Sequence, residues 1–236
     1  MSDPRFTTRY TLGFAAAVCV VCSVLVSASA VLLRDRQQAN ERLERESRLL
    51  AVVDLLAEGE RASREEVAER FARHIRPVLV DMGPGDPSHP ASVQTVPAQA
   101  TVYRVVDGER LDALILPVHG LGLWSTMYGY LALEPDGVTV RGLSFYRHGE
   151  TPGLGAEIDN PRWRALWRGR RAFDEQGRPR LEVIKGRAGP PETDPHRIDG
   201  LSGATLTARG VTHTMDFWLG DAGFGPWLAT VRQEAR

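Results

Sequence analysis

The chain has 236 residues, a formal net charge of -1, 42% hydrophobic and 25% charged residues, the balance of one globular domain with an appendage. A charge near zero leaves no basic footprint, so no nucleic-acid partner is predicted. Both cysteines, Cys19 and Cys22, lie in an N-terminal apolar stretch, so the remainder cannot form a disulfide framework, a thiolate metal site or a cysteine nucleophile by itself.

The apolar stretch covers residues 11–33, after a short N-terminal segment 1–10, and contains no charged side chain. As a helix it spans roughly 35 Å, enough to cross a bilayer once. A cleaved signal peptide is the alternative, since residues 26–30 are small, but the stretch is longer than a usual signal. The arginines, two before and five after it, favour a cytoplasmic C-terminal side by number alone, although large domains translocate largely regardless of charge. We predict a single membrane anchor.

A helical and loop region is predicted to follow over residues 34–100. Helices are expected at 38–56 and 63–79, the second opening with the capping-box pattern of Ser63 and Glu66. Residues 82–100 are rich in Pro, Gly and Ser and lack periodicity, which indicates an irregular connection.

Residues 101–236 are predicted to form the domain core, and four runs rich in β-branched and aromatic residues predict strands. These runs cover residues 101–106, 111–118, 128–134 and 138–146. The turn sequence at 134–137 joins the last two, which indicates a meander.

Further along the chain, the pattern predicts a short helix at 161–167 capped by Asp159 or Asn160, and a strand at 181–185. A last helix begins near Thr205 and ends at Gly220. Helices and antiparallel strands are segregated along the chain, so the predicted fold class is α+β.

The segment Asp199-Gly-Leu-Ser-Gly-Ala-Thr205 lies directly before the last predicted helix. The free amides and positive dipole of a helix start favour an anion such as phosphate, and Gly203 leaves room for its close approach. Thr205 offers a hydroxyl in the first turn. The alternative is that Ser202 or Thr205 merely caps the helix.

Two glycine-bearing loops follow or precede predicted strands. In Glu150-Thr-Pro-Gly-Leu-Gly155, a proline and two glycines fix a sharp loop that can lie against a flat ring, or that is only a tight turn. Before the strand at 128–134, Trp124 offers an aromatic wall or is a core or edge residue. Scattered histidines predict no metal site, and Ser202 lacks the partners of a hydrolase serine.

Four segments together resemble the NqrC family, a subunit of the Na⁺-translocating NADH:quinone oxidoreductase. They are residues 122–137, Gly-Leu-Trp-Ser-Thr-Met-Tyr-Gly-Tyr-Leu-Ala-Leu-Glu-Pro-Asp-Gly; residues 150–155; residues 199–207, Asp-Gly-Leu-Ser-Gly-Ala-Thr-Leu-Thr; and residues 216–226, Asp-Phe-Trp-Leu-Gly-Asp-Ala-Gly-Phe-Gly-Pro. With the single anchor, the similarity covers nearly the whole chain. The RnfG component of the Rnf complex shares the Thr-Pro-Gly-Leu-Gly and Ser-Gly-Ala-Thr motifs but is less similar over 122–127, so we rank it second.

The resemblance implies covalent FMN, bound through a phosphoester to Thr205. It implies that a flavin transferase recognises Asp199, Ser202, Gly203 and Ala204. It also implies that the flavin ring is bordered by Glu150, Thr151, Pro152, Gly153, Leu154 and Gly155, with Trp124 as a further contact. Glu150 would either disfavour a reduced anionic flavin or, as surface carboxylates usually do, cap or solvate its loop.

The protein so implied is a membrane-anchored electron-transfer subunit, with an FMN-binding domain made of an antiparallel sheet and flanking helices. It would relay electrons from NADH toward ubiquinone, coupled to Na⁺ export, together with the other subunits, and would not complete catalysis alone. The resemblance places its soluble domain on the periplasmic side of the bacterial inner membrane. The alternatives are the RnfG component of the Rnf ferredoxin:NAD complex, or a non-redox membrane-tethered binding module with unmodified Thr205.

Overall fold

The computed structural model describes residues 8–57, 60, 62–86, 88–91 and 96–234, which divide into a unit ending at Glu44 and a unit starting at Arg45. Helix α1 (Thr8–Ala51) contains the apolar stretch and is long and apolar enough to cross a membrane, by length and composition. The separate helix predicted at 38–56 is wrong in its start. No proline or glycine interrupts residues 34–51, so α1 continues through them.

The unit from Arg45 is built on a five-stranded sheet whose neighbouring strands are all antiparallel, in the order β1-β2-β3-β4-β5. The strands are β1 (Ile75–Asp81), β2 (Gln99–Asp107), β3 (Arg110–Leu121), β4 (Thr126–Leu133) and β5 (Val140–Arg147). This confirms the meander and the α+β class, and each of the four predicted strands is present with its ends within three residues.

The fifth strand, β1, replaces the second half of the helix predicted at 63–79. Helix α2 (Arg64–His74) begins at the predicted capping box, in which Ser63 Oγ accepts the Glu66 amide at 3.2 Å and Glu66 accepts the Ser63 amide at 2.7 Å. Pro77 disfavours a helix but is tolerated on the edge strand, where β1 pairs only with β2. The sheet therefore includes a strand from the predicted 34–100 region.

After β1, the described residues between 82 and 98 form no helix or strand, as predicted; residues 87 and 92–95 lie outside the described part. A 3-10 turn (Gly155–Asp159) follows β5. The remaining elements are α3 (Pro161–Ala165), β6 (Glu182–Val183), β7 (Arg197–Ile198), α4 (Thr205–Leu219) and α5 (Gly225–Glu234). Asn160 caps α3, accepting the Arg162 amide at 3.0 Å, and β6 pairs in parallel with β7. The predicted strand at 181–185 is thus shorter than expected.

The core lies between the sheet and α4. Alternate residues of β3, such as Leu116 and Val118, belong to one buried cluster with Val211 and Met215 of α4. The other face of the sheet is met by α2 and by residues after α1, where the Val52 carbonyl lies close to Gly142. Because α4 crosses β3, its first turn comes to the end of β3 and the loop that follows.

Candidate functional site

Helix α4 lies unusually close to the end of β3. The indole N–H of Trp218 donates to the His119 carbonyl at 2.6 Å. At Gly210 a methyl group would overlap the Leu121 carbonyl oxygen, and at Gly120 it would overlap the Thr214 hydroxyl. These contacts fix the start of α4 beside the loop at 121–125.

The first turn of α4 presents a hydroxyl and amides that have no hydrogen-bond partner among the described residues. Ala204 occupies the N-cap position without any side-chain cap, so neither Ser202 nor Thr205 has the capping role that was the alternative. Thr205 is the first helical residue and is exposed, and its hydroxyl makes no hydrogen bond within the described part of the chain. The backbone amides of residues 205–207 are likewise without a partner among the described residues. This is the geometry of a helix N-terminus that can bind an anion.

The loop at 150–155 meets this turn directly. Gly203 has a φ of 71°, and a Cβ there would lie 2.8 Å from Leu154 Cδ2. The loop is closed by the Thr151 carbonyl, which accepts the amides of Leu154 and Ala156, both at 3.1 Å. Residues 151–154 are exposed, whereas Gly155 is buried, and a Cβ at that position would lie 2.6 Å from Thr207 Oγ1. Two of the predicted segments are therefore in contact.

Glu150, which is only 5% exposed, joins the third segment, the loop at 121–125, to the other two. Its carboxylate accepts the Leu123 amide at 3.2 Å, the Trp124 amide at 3.0 Å and the Thr207 hydroxyl. The expectation that this carboxylate caps or solvates its own loop at the surface is wrong. Its partners come from a loop more than twenty residues earlier and from α4.

Burial raises the pKa of Glu150, but the hydrogen bonds from Thr207, Trp124 and Leu123 outweigh it and hold that pKa below its ordinary value of 4.5. A lowered folded-state pKa stabilises the fold above the unfolded-state pKa, and this contribution is lost as pH falls through the folded-state pKa. We therefore expect Glu150→Gln to lower the free energy of unfolding by about 1–3 kcal/mol at pH 7. Below about pH 4.5 the difference from wild type should shrink.

Chemical denaturation at a series of pH values measures this difference. Glu157→Gln is the matched control, because Glu157 is only half-buried and bonds locally to the Asn160 amide group at 2.6 Å. It should change the free energy of unfolding by less than about 0.5 kcal/mol. A Glu150→Gln deficit that is the same at pH 3 and pH 7 would contradict an ionised carboxylate.

Exposed apolar side chains gather in the same three segments. We call Leu121, Leu123, Trp124, Leu154 and Leu206 the apolar patch; each is 44–68% exposed. In the unit from Arg45, the only other large apolar side chain so exposed among the described residues is Leu79. Trp124, at 68%, is neither a core nor an edge residue but an exposed indole. Exposed apolar clusters of this kind mark interaction sites.

On its other side Thr205 borders an open groove with a volume of about 860 Å³. Its walls are residues 182–187, the loop 199–203 and one face of α4. The charged side chains in this lining are three cations and three carboxylates: Lys185, Arg187, Arg209, Glu182, Asp199 and Asp216. Asp199 supports the wall: its carboxylate accepts the Ala188 amide at 2.8 Å and its carbonyl accepts the Trp163 indole at 2.9 Å.

Sequence reasoning missed Thr207, Leu206 and the groove cations. Thr207 sits two residues beyond Thr205 and is fully buried, and its position in the first turn was the available signal. His148 accepts the Glu150 amide at Nδ1 and pairs through Nε2 with Asp159 at 2.8 Å. His213 lines the groove, where burial, with smaller contributions from His89 and Arg209, lowers its pKa.

Residues 122–220 match the family described as FMN-binding domain. The chain is 44% identical to the NqrC subunit of the Na(+)-translocating NADH-quinone reductase of Vibrio vulnificus over 95% of both chains, and 42% identical to that of Pseudomonas aeruginosa over 99% of both. The crystal structure of Shewanella oneidensis NqrC matches with a TM-score of 0.69 and 31% identity, over 80% of this chain and 98% of that one. The crystal structure of the corresponding subunit from Parabacteroides distasonis matches with a TM-score of 0.66 and 27% identity, over 83% and 96%.

The fold and the converging segments define an FMN-binding domain that follows an N-terminal apolar helix. The extent of the sequence identity then places the chain within that class. It belongs to the NqrC family, a subunit of the Na⁺-translocating NADH-quinone reductase. The resemblance seen in the sequence is confirmed, and these relatives favour it over the Rnf alternative.

Proposed function

We propose that this chain is the membrane-anchored FMN subunit of a Na⁺-translocating NADH-quinone reductase, and that its FMN is joined through a phosphoester to Thr205. It relays electrons from NADH toward ubiquinone within a complex of several subunits, coupled to Na⁺ export. The observation that carries the attachment site is the exposed Thr205 hydroxyl between the apolar patch and the groove, which no other described residue bonds.

The surroundings of Thr205 suit a phosphate. The free amides at residues 205–207 can donate to its oxygens, and the helix dipole at such a position favours an anion by about 0.3–1 kcal/mol. The groove is lined by as many carboxylates as cations, so the backbone amides and not the groove's net charge favour a phosphate. Gly203 turns the chain with a positive φ shortly before Thr205, and Thr205 is exposed.

The flavin ring fits the apolar patch. A tricyclic ring is flat and largely apolar, and covering Trp124, Leu154 and Leu206 with it would remove exposed apolar surface from water. Loop 150–155 supplies exposed backbone at its edge, as the resemblance implied. Bound FMN supplies electron transfer, and the chain's residues hold and orient it; the described site contains no set of groups for bond-making on a substrate.

Attachment requires a partner enzyme. The segment 199–205 matches the D-x-x-S-G-A-T recognition sequence of a flavin transferase. Its start is fixed in place, because the Asp199 carboxylate accepts the Ala188 amide and a side chain at Gly200 would overlap the Ile184 carbonyl. Ser202 and Gly203 are exposed to such an enzyme, whereas Ala204 is buried at the N-cap position.

Co-expression of the full chain with a flavin transferase tests the proposal. The denatured protein should fluoresce under ultraviolet light on a gel, and its intact mass should increase by one FMN moiety. A colourless protein of unmodified mass, made beside an active transferase, would favour the non-redox binding module. Co-purification with an NADH-oxidising flavoprotein subunit would support assembly into the quinone reductase rather than the Rnf complex.

We also infer a periplasmic position for the domain, as the resemblance implies and despite the arginine count. The exposed Gln176 offers a test because the unit from Arg45 contains no cysteine. In intact cells, Gln176→Cys should react with a membrane-impermeant maleimide, while the wild type with Cys19 and Cys22 should not. If Gln176→Cys is labelled only after cell lysis, the domain lies on the cytoplasmic side.

A further inference from the structure

The carboxylate of Glu150 is buried and pairs with no cation in the part of the chain that the structure describes. Among the described residues the other buried carboxylate, Asp194, pairs with Arg197 at 2.9 Å, but Glu150 is met only by neutral donors. Burying an unpaired charge is unfavourable unless hydrogen bonds replace its hydration. A position that retains such a charge is a candidate for a functional role.

The site is built around this carboxylate from several directions. Gly122 and Gly155 leave the space it occupies, since a Cβ at either position would lie 2.5 Å or 2.7 Å from a carboxylate oxygen. The amide of Glu150 itself is held by His148 Nδ1 at 3.1 Å, and Ser125 Oγ accepts the Gly149 amide at 2.6 Å. The side chain therefore has one defined position.

The groups that Glu150 holds belong to the three segments that would hold the flavin. Its acceptor bonds reach the amide of Trp124 in the patch and the hydroxyl of Thr207, two residues from Thr205. Its own loop carries Leu154, which touches Gly203. No other described side chain bonds to both the 121–125 loop and α4.

We propose that Glu150 is the positioning residue of the FMN site: its ionised carboxylate fixes the spacing between Trp124, Leu154 and Thr205 and places a permanent negative charge beside the cofactor. The placement of the charge beside FMN rests on the proposed function. The fixing of the loop does not, because the carboxylate and all of its donors belong to the chain itself.

The first test therefore uses the full-length chain made without a flavin transferase. Hydrogen–deuterium exchange, read by mass spectrometry on a peptide covering residues 121–126, should be at least about tenfold faster in Glu150→Gln than in wild type, because the Leu123 and Trp124 amides lose a charged acceptor. A peptide from β3 serves as the internal control and should be unchanged. Equal exchange at 121–126 would overturn the positioning role.

Thr207 provides a matched pair of variants in case Glu150→Gln folds poorly. Thr207→Ser keeps the hydroxyl and should retain wild-type exchange at residues 121–126 and a wild-type flavin site. Thr207→Val has nearly the same shape but removes the donor to Glu150. It should loosen the α4 side of the site, and a wild-type visible circular dichroism spectrum of its bound flavin would contradict the proposal.

The second test uses protein carrying FMN and measures how the charge of Glu150 affects the flavin midpoint potential. Glu150→Gln should shift the flavin midpoint potential to a more positive value, because it removes a negative charge that opposes reduction. Thr207→Val, which keeps the charge, should stay closer to wild type, as should Glu157→Gln. A wild-type potential in Glu150→Gln would overturn the placement of the charge.

If the wild-type chain takes up no FMN at all, the proposed function fails, and the exchange measurement still decides the role of Glu150 in the loop.

Discussion

Replacement of Thr205 by alanine is expected to remove covalent FMN completely while leaving the domain folded. The Thr205 side chain is exposed and its hydroxyl has no partner in the described chain, so the substitution removes no hydrogen bond of the fold. Alanine is also the better helix former, and the free energy of unfolding should stay within about 0.5 kcal/mol of wild type. Intact mass and gel fluorescence after co-expression with the transferase measure the loss.

Thr205→Ser is the control, because it keeps a hydroxyl at the same backbone position. It should still gain the FMN mass, whereas Thr205→Ala should gain none. Circular dichroism and thermal unfolding of both variants would show that the domain is intact. Flavin that stays attached to Thr205→Ala after denaturation would refute Thr205 as the attachment site. Ser202 and the other hydroxyls would then be the candidates.

The second large effect is expected at Gly210, in the middle of α4. In an isolated helix, glycine to alanine is stabilising by about 1 kcal/mol. Here the added methyl group would overlap the Leu121 carbonyl and crowd Gly122, so α4 has to move off β3. We expect Gly210→Ala to lower the free energy of unfolding by about 1–3 kcal/mol and to lower flavin incorporation, because Thr205 moves with the helix.

The neighbouring exposed Arg209 supplies the comparison. Arg209→Ala changes the adjacent helical position without meeting the sheet, and should leave the free energy of unfolding within about 0.5 kcal/mol of wild type. Urea unfolding of the two variants measures the contrast. A Gly210→Ala protein as stable as Arg209→Ala would mean that α4 and β3 are not as closely seated as this contact implies.

The parts of the fold that could be predicted are those with local signals. The strands β2 to β5 are rich in β-branched and aromatic residues, and α4 carries a helical apolar face ending at Gly220. Strand β1 was missed because residues 75–81 follow a helix without a turn signal; Pro77 was the local signal against a longer helix, and the pairing with β2 gives the extended state. A separate helix was expected to start at residue 38 because the anchor was assumed to end at residue 33. Residues 34–51 contain no helix breaker, so α1 continues through them.

At the site, the motifs identified three segments that the structure brings into contact, but not the bonds that connect them. Thr205, Leu154 and Trp124 each lie in a recognisable short sequence, and their roles toward FMN stay predictions. The burial of Glu150 could not, since its donors are 26, 27 and 57 residues away in the chain. The groove beside Thr205 was likewise hidden, because its walls come from 182–187 and 199–203.

The exposure of Trp124 has a practical consequence. Of the five tryptophans, Trp163, Trp167 and Trp218 are buried and Trp227 is half-buried, so a small collisional quencher such as acrylamide reaches chiefly Trp124 in the folded protein. The protein thus carries its own optical probe of this surface. Shielding of that indole from the quencher would report, without any label, the moment at which a cofactor or a neighbouring subunit covers it.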